Sequence, residues 1–104
     1  MKIWLDDIRD PPDNSWEHFK TGEDLTNEIV EQINSQDEAI EEISFDHDLG
    51  ENCLTGYGVA CFIESIINAG MWKRPIKWTV HSANPVGRKN IEAAMKNCDK
   101  FWYR

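Results

Sequence analysis

Short runs of alternating hydrophobic and polar residues occur along this chain, with stretches of helical periodicity between them. Three runs predict strands at 1–6, 41–46 and 76–81, and we interpret two shorter segments, 16–20 and 100–104, as edge strands. Apolar residues three or four positions apart predict helices at 21–34, at 55–70 and from 84 onward. Thr21 and Asp24 resemble a capping pair, and Asn84 before Pro85 is typical of a helix N-terminus.

The alternation within the strands also bears on how many layers of helix cover the sheet. Strands separated by helices indicate a parallel sheet with right-handed crossovers, and so the α/β class. A parallel sheet that is covered on both faces has continuously apolar strands, whereas polar Lys2, Ser44 and Thr79 alternate with apolar neighbours here. We therefore expect three helices mainly on one face and an open opposite face. If Trp4 and Trp102 both lie on that open face, they form a patch suited to a homodimer.

Each long strand ends in polar residues that are able to do chemistry. These residues are Asp6, Asp7, Asp46, His47, Asp48, His81 and Ser82. Because parallel strands bring their carboxyl ends to one edge, where open α/β sheets bind ligands, we expect these side chains to share a crevice. The four aspartates offer the oxygen ligands that Mg²⁺ or Mn²⁺ prefers. The alternative is that they only form turns and cap helices.

The two histidines and several donors near the same edge suit proton transfer and phosphate binding. His47 and His81 either act as general acid and base near neutral pH or are half-buried histidines bonded to a neighbouring aspartate. The candidate phosphate-binding residues are Arg9, Thr55, Ser82, Asn84 and Arg88. Several of these lie at helix N-termini, which attract anions. Arg9 is either a counter-charge for the aspartates or a clamp for the ligand.

Composition limits the partners of such a site. The 104 residues form one domain, and the net charge of −8 disfavours bulk nucleic-acid or anionic-membrane binding without excluding a phosphate held in a pocket. No run approaches the roughly 20 apolar residues of a membrane span, and no signal peptide is evident. The three cysteines are odd in number and lack C-x-x-C spacing, so we expect free thiols and a cytoplasmic protein.

Four short motifs together resemble a known family. They are Leu5-Asp6-Asp7-Ile8-Arg9, Phe45-Asp46-His47-Asp48-Leu49-Gly50, Thr55-Gly56-Tyr57 and His81-Ser82-Ala83-Asn84-Pro85. An acidic pair after the first strand, an aspartate after a central strand and Ser-Ala after the next resemble the receiver domains of two-component signalling. The whole set resembles the cyclic-phosphate processing receiver domains. The resemblance implies a reduced receiver-like (flavodoxin-like) parallel sheet of about five strands in the order 2-1-3-4-5, without the first and last receiver helices.

The resemblance also implies a function. It implies metal-dependent phosphoesterase chemistry on a phosphorylated small molecule or RNA end, such as a 2′,3′-cyclic phosphate, and we expect Asp46, His47 and His81 to be catalytic. The sequence departs from the pattern at two points: no lysine follows Tyr103, where receivers carry one near the phosphoryl group, and Gly58 replaces an expected acid. The main alternative is a nucleotide-binding or protein-interaction module without turnover. A phosphoacceptor role for Asp46 is the least favoured interpretation.

Overall fold

Residues 1–103, which the computed structural model describes, form a parallel sheet and a layer of helices. The strands are β1 (Lys2–Leu5), β2 (Trp16–Phe19), β3 (Glu42–Phe45) and β4 (Lys77–Val80). The helices are α1 (Gly22–Ser35), α2 (Gly56–Asn68) and α3 (Pro85–Trp102). The strands lie in the order β2-β1-β3-β4, and every neighbouring pair is parallel. The predicted α/β class, parallel sheet and three helices are thus confirmed.

The fifth strand predicted at 100–104 is not present in the part of this segment that the structure describes. Helix α3 continues through Trp102, and the N–H of Tyr103 donates to the carbonyl of Asp99 at 2.9 Å; Arg104 lies outside the described residues. The strand prediction was wrong because it rested on the β propensity of an aromatic-rich end. Trp102 lies four residues after buried Cys98, so the helical period continues to the end of α3.

Side-chain caps determine where the helices begin. Thr21 caps α1, Thr55 caps α2 and Asn84 caps α3, each by accepting a backbone N–H two or three residues along. Replacing such a cap by alanine typically costs about 1 kcal/mol. Pro85 then occupies the first turn of α3, where its missing N–H costs nothing. Of the helices in residues 1–103, none is long and apolar enough to cross a membrane.

The core lies between the sheet and the helical layer. Strand residues that point toward the helices are fully buried: Ile3, Leu5, Ile43 and Phe45. The opposite face carries the alternating polar positions, and Thr79 on that face is exposed. Trp102 does not share it, because this residue packs against the core from the end of α3. The prediction that Trp102 lies on the open face beside Trp4 was therefore wrong. A homodimer through the open face stays a prediction.

Candidate functional site

Three of the aspartates that were predicted to bind metal meet at the carboxyl edge of the sheet. Asp6, Asp7 and Asp46 each offer one carboxylate oxygen, and these oxygens all lie within 4.8 Å of one another. Asp6 follows β1 and Asp46 follows β3, and these strands are neighbours in the sheet. The N–H of Asp46 also donates to the carbonyl of Leu5 at 2.9 Å, which extends the ladder beyond the strands. Strand pairing therefore brings the acids together.

Asp6 is the most completely bonded member of the cluster and is 1% exposed. Its Oδ1 accepts the N–H groups of Ile8 at 2.9 Å and Arg9 at 2.8 Å. Its Oδ2 accepts Nε of Arg9 and Nε2 of His81, each at 3.0 Å. Burial alone would raise the pKa of Asp6, but these hydrogen bonds and the charge of Arg9 outweigh burial and lower it. Asp6 is therefore an anion at neutral pH.

Asp46 is also buried, but its surroundings disfavour its negative charge. Burial, and then the nearby charge of Asp6, raise the pKa of Asp46 above its usual value. The N–H of His47, which donates at 2.8 Å, the Ser82 hydroxyl and the charge of Arg9 lower the pKa only in part. A carboxylate in this condition gains from an added positive charge. The all-oxygen donor set therefore suits a hard divalent cation.

A glycine lets the start of α2 close on the end of β3. The N–H of Gly56 donates to the carbonyl of His47 at 2.9 Å. A Cβ at position 56 would lie 1.9 Å from the carbonyl oxygen of Asp46, so any larger residue would push the helix away. The Thr55-Gly56 pair thus has a structural purpose, which is to hold the backbone of Asp46 in place.

His81 lies over the open face and connects the site to β3 and β4. Its Nε2 lies 3.0 Å from Oδ2 of Asp6, and its Nδ1 lies 2.8 Å from Oγ of Ser44. Thr79 donates to the same Ser44 oxygen at 3.0 Å. The ring stacks on Trp4 with centroids 3.9 Å apart and planes 4° from parallel.

This network determines the protonation state of His81. Burial lowers the pKa of His81 more than Asp6 and Asp46 raise it, so the ring is neutral at neutral pH. Because the ionised carboxylate of Asp6 can only accept, the proton of the neutral ring resides on Nε2 and points to Asp6, so Nδ1 accepts the Ser44 hydroxyl, which itself accepts from Thr79. His81 in this arrangement orients Asp6.

His47 points away from the acid cluster. Its ring packs against the first turn of α3, where a Cβ added to Gly87 would lie 2.2 Å from the ring Cγ. Its Nδ1 is buried and has no hydrogen-bond partner within residues 1–103. Successive residues of an extended segment point to opposite faces, so His47 lies on the helical side when Asp46 lies on the other. Asp6 and Ser44 contact the nitrogens of His81. Proton transfer by His47 and His81 stays a prediction.

Two of the predicted phosphate-binding residues contact the acids. Ser82 is 5% exposed, and its hydroxyl lies close to Asp46 and accepts the N–H of Asn84 at 3.1 Å. Arg9 is about half exposed, and its Nη2 lies 3.5 Å from Oδ1 of Asp46. Both therefore lie beside the acid cluster, and their roles in phosphate binding stay predictions.

The other candidates contact partners outside the cluster. The oxygens of Thr55 and Asn84 cap helices, so they are engaged within the protein. Arg88 points along α3, with Nε 3.8 Å from Oε1 of Glu92. Asp48, the fourth predicted metal ligand, is exposed, and both its oxygens lie 3.5 Å from Nδ2 of Asn84. Roles for these residues in phosphate or metal binding stay predictions.

The acids open into a cleft of about 280 Å³. It is lined by Asp6, Asp7, Ile8, Arg9, Asp46, Asp48 and Ala83. Ile8 is 83% exposed and, with Ala83, gives the cleft an apolar wall beside its charged floor. The volume lies just below the roughly 300 to 1,000 Å³ typical of small-molecule sites, which suits a phosphate group with part of the molecule attached to it.

Sequence reasoning missed Ser44 and Thr79 as members of the site. Both are polar residues inside strands, and they are directly paired in the β3–β4 register. Their polarity was interpreted only as a sign of an open face. The available signal was His81, which follows Thr79 by two residues and so lies on the same face of the sheet. Its position indicated a chain of hydrogen bonds across the sheet.

Comparison with known proteins places the chain in a family. No curated protein and no solved structure matches it. The family model described as "Cyclic-phosphate processing Receiver domain" matches residues 1–97. That range contains every strand described above and the acid cluster with Arg9 and His81. The chain therefore belongs to the family of cyclic-phosphate processing receiver domains.

Proposed function

We propose that this protein is a metal-dependent phosphoesterase, a hydrolase that opens cyclic phosphates such as 2′,3′-cyclic phosphates of nucleotides or RNA ends. The observation that carries the proposal is the approach of three carboxylate oxygens to within 4.8 Å of one another. Mg²⁺ or Mn²⁺ held by Asp6, Asp7 and Asp46 would polarise a phosphoryl oxygen or activate a water. Membership of a cyclic-phosphate processing family supports the choice of substrate class.

The chain's own residues prepare the site for that ion. Asp6 is held in one orientation by hydrogen bonds from the backbone N–H groups of Ile8 and Arg9 and from the side chains of Arg9 and His81, which fixes the direction of its carboxylate. Asp46 gains from a cation because burial and Asp6 oppose its charge. Ser82 and the guanidinium of Arg9, which lie beside Asp46, would bind the phosphate oxygens. Proton transfer by His47 or His81 stays a prediction.

Turnover of 2′,3′-cyclic mononucleotides with Mg²⁺ or Mn²⁺ tests the proposal. The variant Asp46→Asn keeps the shape of the side chain but removes the charge that a cation needs, so we expect a loss of activity of at least a hundredfold. Asp10→Asn is the matched control, because the Asp10 side chain is 94% exposed and lies outside the cluster. Wild-type activity in Asp46→Asn, or equal losses in both variants, would contradict the metal role.

A second function, binding without turnover, is favoured by one specific observation. Both ring nitrogens of His81 are engaged, with Asp6 and with Ser44, so this imidazole is not free to act as a base. Titration calorimetry with a cyclic mononucleotide, followed by analysis of the recovered ligand, separates the two functions. Ligand that binds in a metal-dependent manner and is recovered unchanged would favour the binding module.

A further inference from the structure

The guanidinium of Arg9 lies between the two buried acids of the cluster. Its Nε lies 3.0 Å from Oδ2 of Asp6, and its Nη2 lies 3.5 Å from Oδ1 of Asp46. These carboxylates are two of the three whose oxygens converge. The guanidinium of Arg9 would therefore compete with a bound cation for the carboxylates of Asp6 and Asp46.

Asp6 has little capacity for a further partner. A carboxylate offers about four lone-pair sites, and within residues 1–103 Asp6 receives four hydrogen bonds. Two come from the backbone of the turn that follows β1, and one comes from His81, which is held by Ser44 and stacked on Trp4. The fourth comes from the Arg9 side chain, which is 52% exposed and has solvent to move into.

We propose that Arg9 and the divalent cation exchange, so that the guanidinium leaves Asp6 and Asp46 when the cation binds and then binds phosphate at the mouth of the cleft. This inference rests on the proposed function. The Arg9 backbone N–H still donates to Oδ1 of Asp6 after the side chain leaves, so the guanidinium stays within one side-chain length of the acids. The residue also lines the cleft. Arg9 is therefore both the counter-charge and the phosphate clamp, in succession.

The exchange couples the two binding events. Without a cation, Arg9 offsets part of the repulsion among the three carboxylates. With a cation in place, Arg9 and the ion repel each other until a phosphate brings negative charge between them. Metal and phosphate should consequently bind with positive cooperativity, and part of that cooperativity should depend on Arg9.

The first test follows the Arg9 side chain itself in the wild-type protein. Its Nε–H signal in a ¹H–¹⁵N spectrum is assigned by its loss in Arg9→Gln. Saturating Mg²⁺ should shift this signal as the hydrogen bond to Asp6 breaks, and inorganic phosphate added afterwards should shift it again. A signal that stays in place at saturating Mg²⁺ would overturn the exchange. The Arg9→Gln variant is needed only to assign the signal, and the titration itself uses the wild-type protein.

The second test measures affinities by calorimetry in the wild type, in Arg9→Gln and in Lys89→Gln. Lys89 is exposed on α3, and its variant matches the change in net charge. We expect Arg9→Gln to bind Mn²⁺ about tenfold more tightly and, once loaded with Mn²⁺, to bind inorganic phosphate about tenfold more weakly. Lys89→Gln should match the wild type in both measurements.

The outcomes separate this inference from the proposed function. The exchange is overturned if the wild type binds Mn²⁺ but Arg9→Gln binds it no more tightly than Lys89→Gln does. The metal site itself would not be contradicted by that result. Absence of Mn²⁺ binding by the wild type at millimolar concentration overturns the metal site and the exchange together.

Discussion

The substitution Asp46→Asn should stabilise the metal-free protein while removing its response to divalent cations. The amide keeps a carbonyl oxygen that can accept the N–H of His47, which donates at 2.8 Å in the wild type. It removes a buried negative charge that stands beside Asp6. Buried like charges that serve ligand binding lower the stability of the free protein, so neutralising one of them should stabilise it.

The magnitude follows from the geometry of the cluster. Asp6 and Asp46 offer oxygens within 4.8 Å of each other. Two unit charges at that distance repel by about 3 kcal/mol at an effective dielectric constant of about 20. The half-exposed Arg9 offsets part of this repulsion, and water screens its charge. We therefore expect a net gain of about 1 kcal/mol, which raises Tm by about 4 °C in a domain of this size.

The gain should depend on pH in a defined direction. Because the pKa of Asp46 is raised in the folded protein, wild-type stability falls, relative to the variant, as pH rises through that pKa. Well below 3.8, the usual pKa of aspartate, Asp46 is protonated in both the folded and the unfolded states. The two proteins should then have nearly the same free energy of unfolding.

Thermal and urea unfolding followed by circular dichroism provide the assay, first in EDTA and then in saturating Mg²⁺. Mg²⁺ should raise the Tm of the wild type and of the Asp10→Asn control, and should leave that of Asp46→Asn nearly unchanged. The reasoning is refuted if Asp46→Asn is less stable than the wild type in EDTA by more than about 1 kcal/mol, the size of one hydrogen bond. It is also refuted if Mg²⁺ stabilises both equally.

Three further predictions concern the surroundings of the cluster. Ser44→Ala should cost about 1 to 3 kcal/mol in urea unfolding, because Nδ1 of His81 loses its buried partner. Gly87→Ala should cost about 1 to 3 kcal/mol in the same assay, because the new Cβ would lie 2.2 Å from the ring of His47. Calorimetric Mn²⁺ affinity should weaken as pH falls through the raised pKa of Asp46, because protonation removes a ligand. A loss below about 0.5 kcal/mol in either variant, or an affinity that does not change with pH, would contradict the corresponding prediction.

The convergence of the acids was predictable because it depends on topology. Once the strands are parallel, Asp6 and Asp46 must end at one edge, and periodicity was sufficient to identify those strands. The last strand was wrong because an aromatic-rich terminal segment suits either a strand or a helix, and packing against the core decides between them. The intrinsic propensities of the residues carry no information about that packing.

The side-chain arrangement within the site was less predictable. His47 and His81 were both expected in the crevice because both follow strands, yet alternation along an extended chain sends His47 and Asp46 to opposite sides. Ser44 escaped notice because its partner is 37 residues away in sequence and is defined by strand register. The two alternatives for Arg9 could not be resolved from sequence, since its side-chain direction depends on the turn that Asp6 closes.

The position of a bound metal ion decides whether the three aspartates form a metal site. A crystal of the protein soaked in Mn²⁺ and measured for anomalous scattering should show one strong peak in contact with carboxylate oxygens of Asp6, Asp7 and Asp46, at the roughly 2.2 Å typical of such ligands. The Arg9 guanidinium should have moved off Asp6 in the same map. A strong peak elsewhere, with the three acids and Arg9 unchanged, would contradict the account.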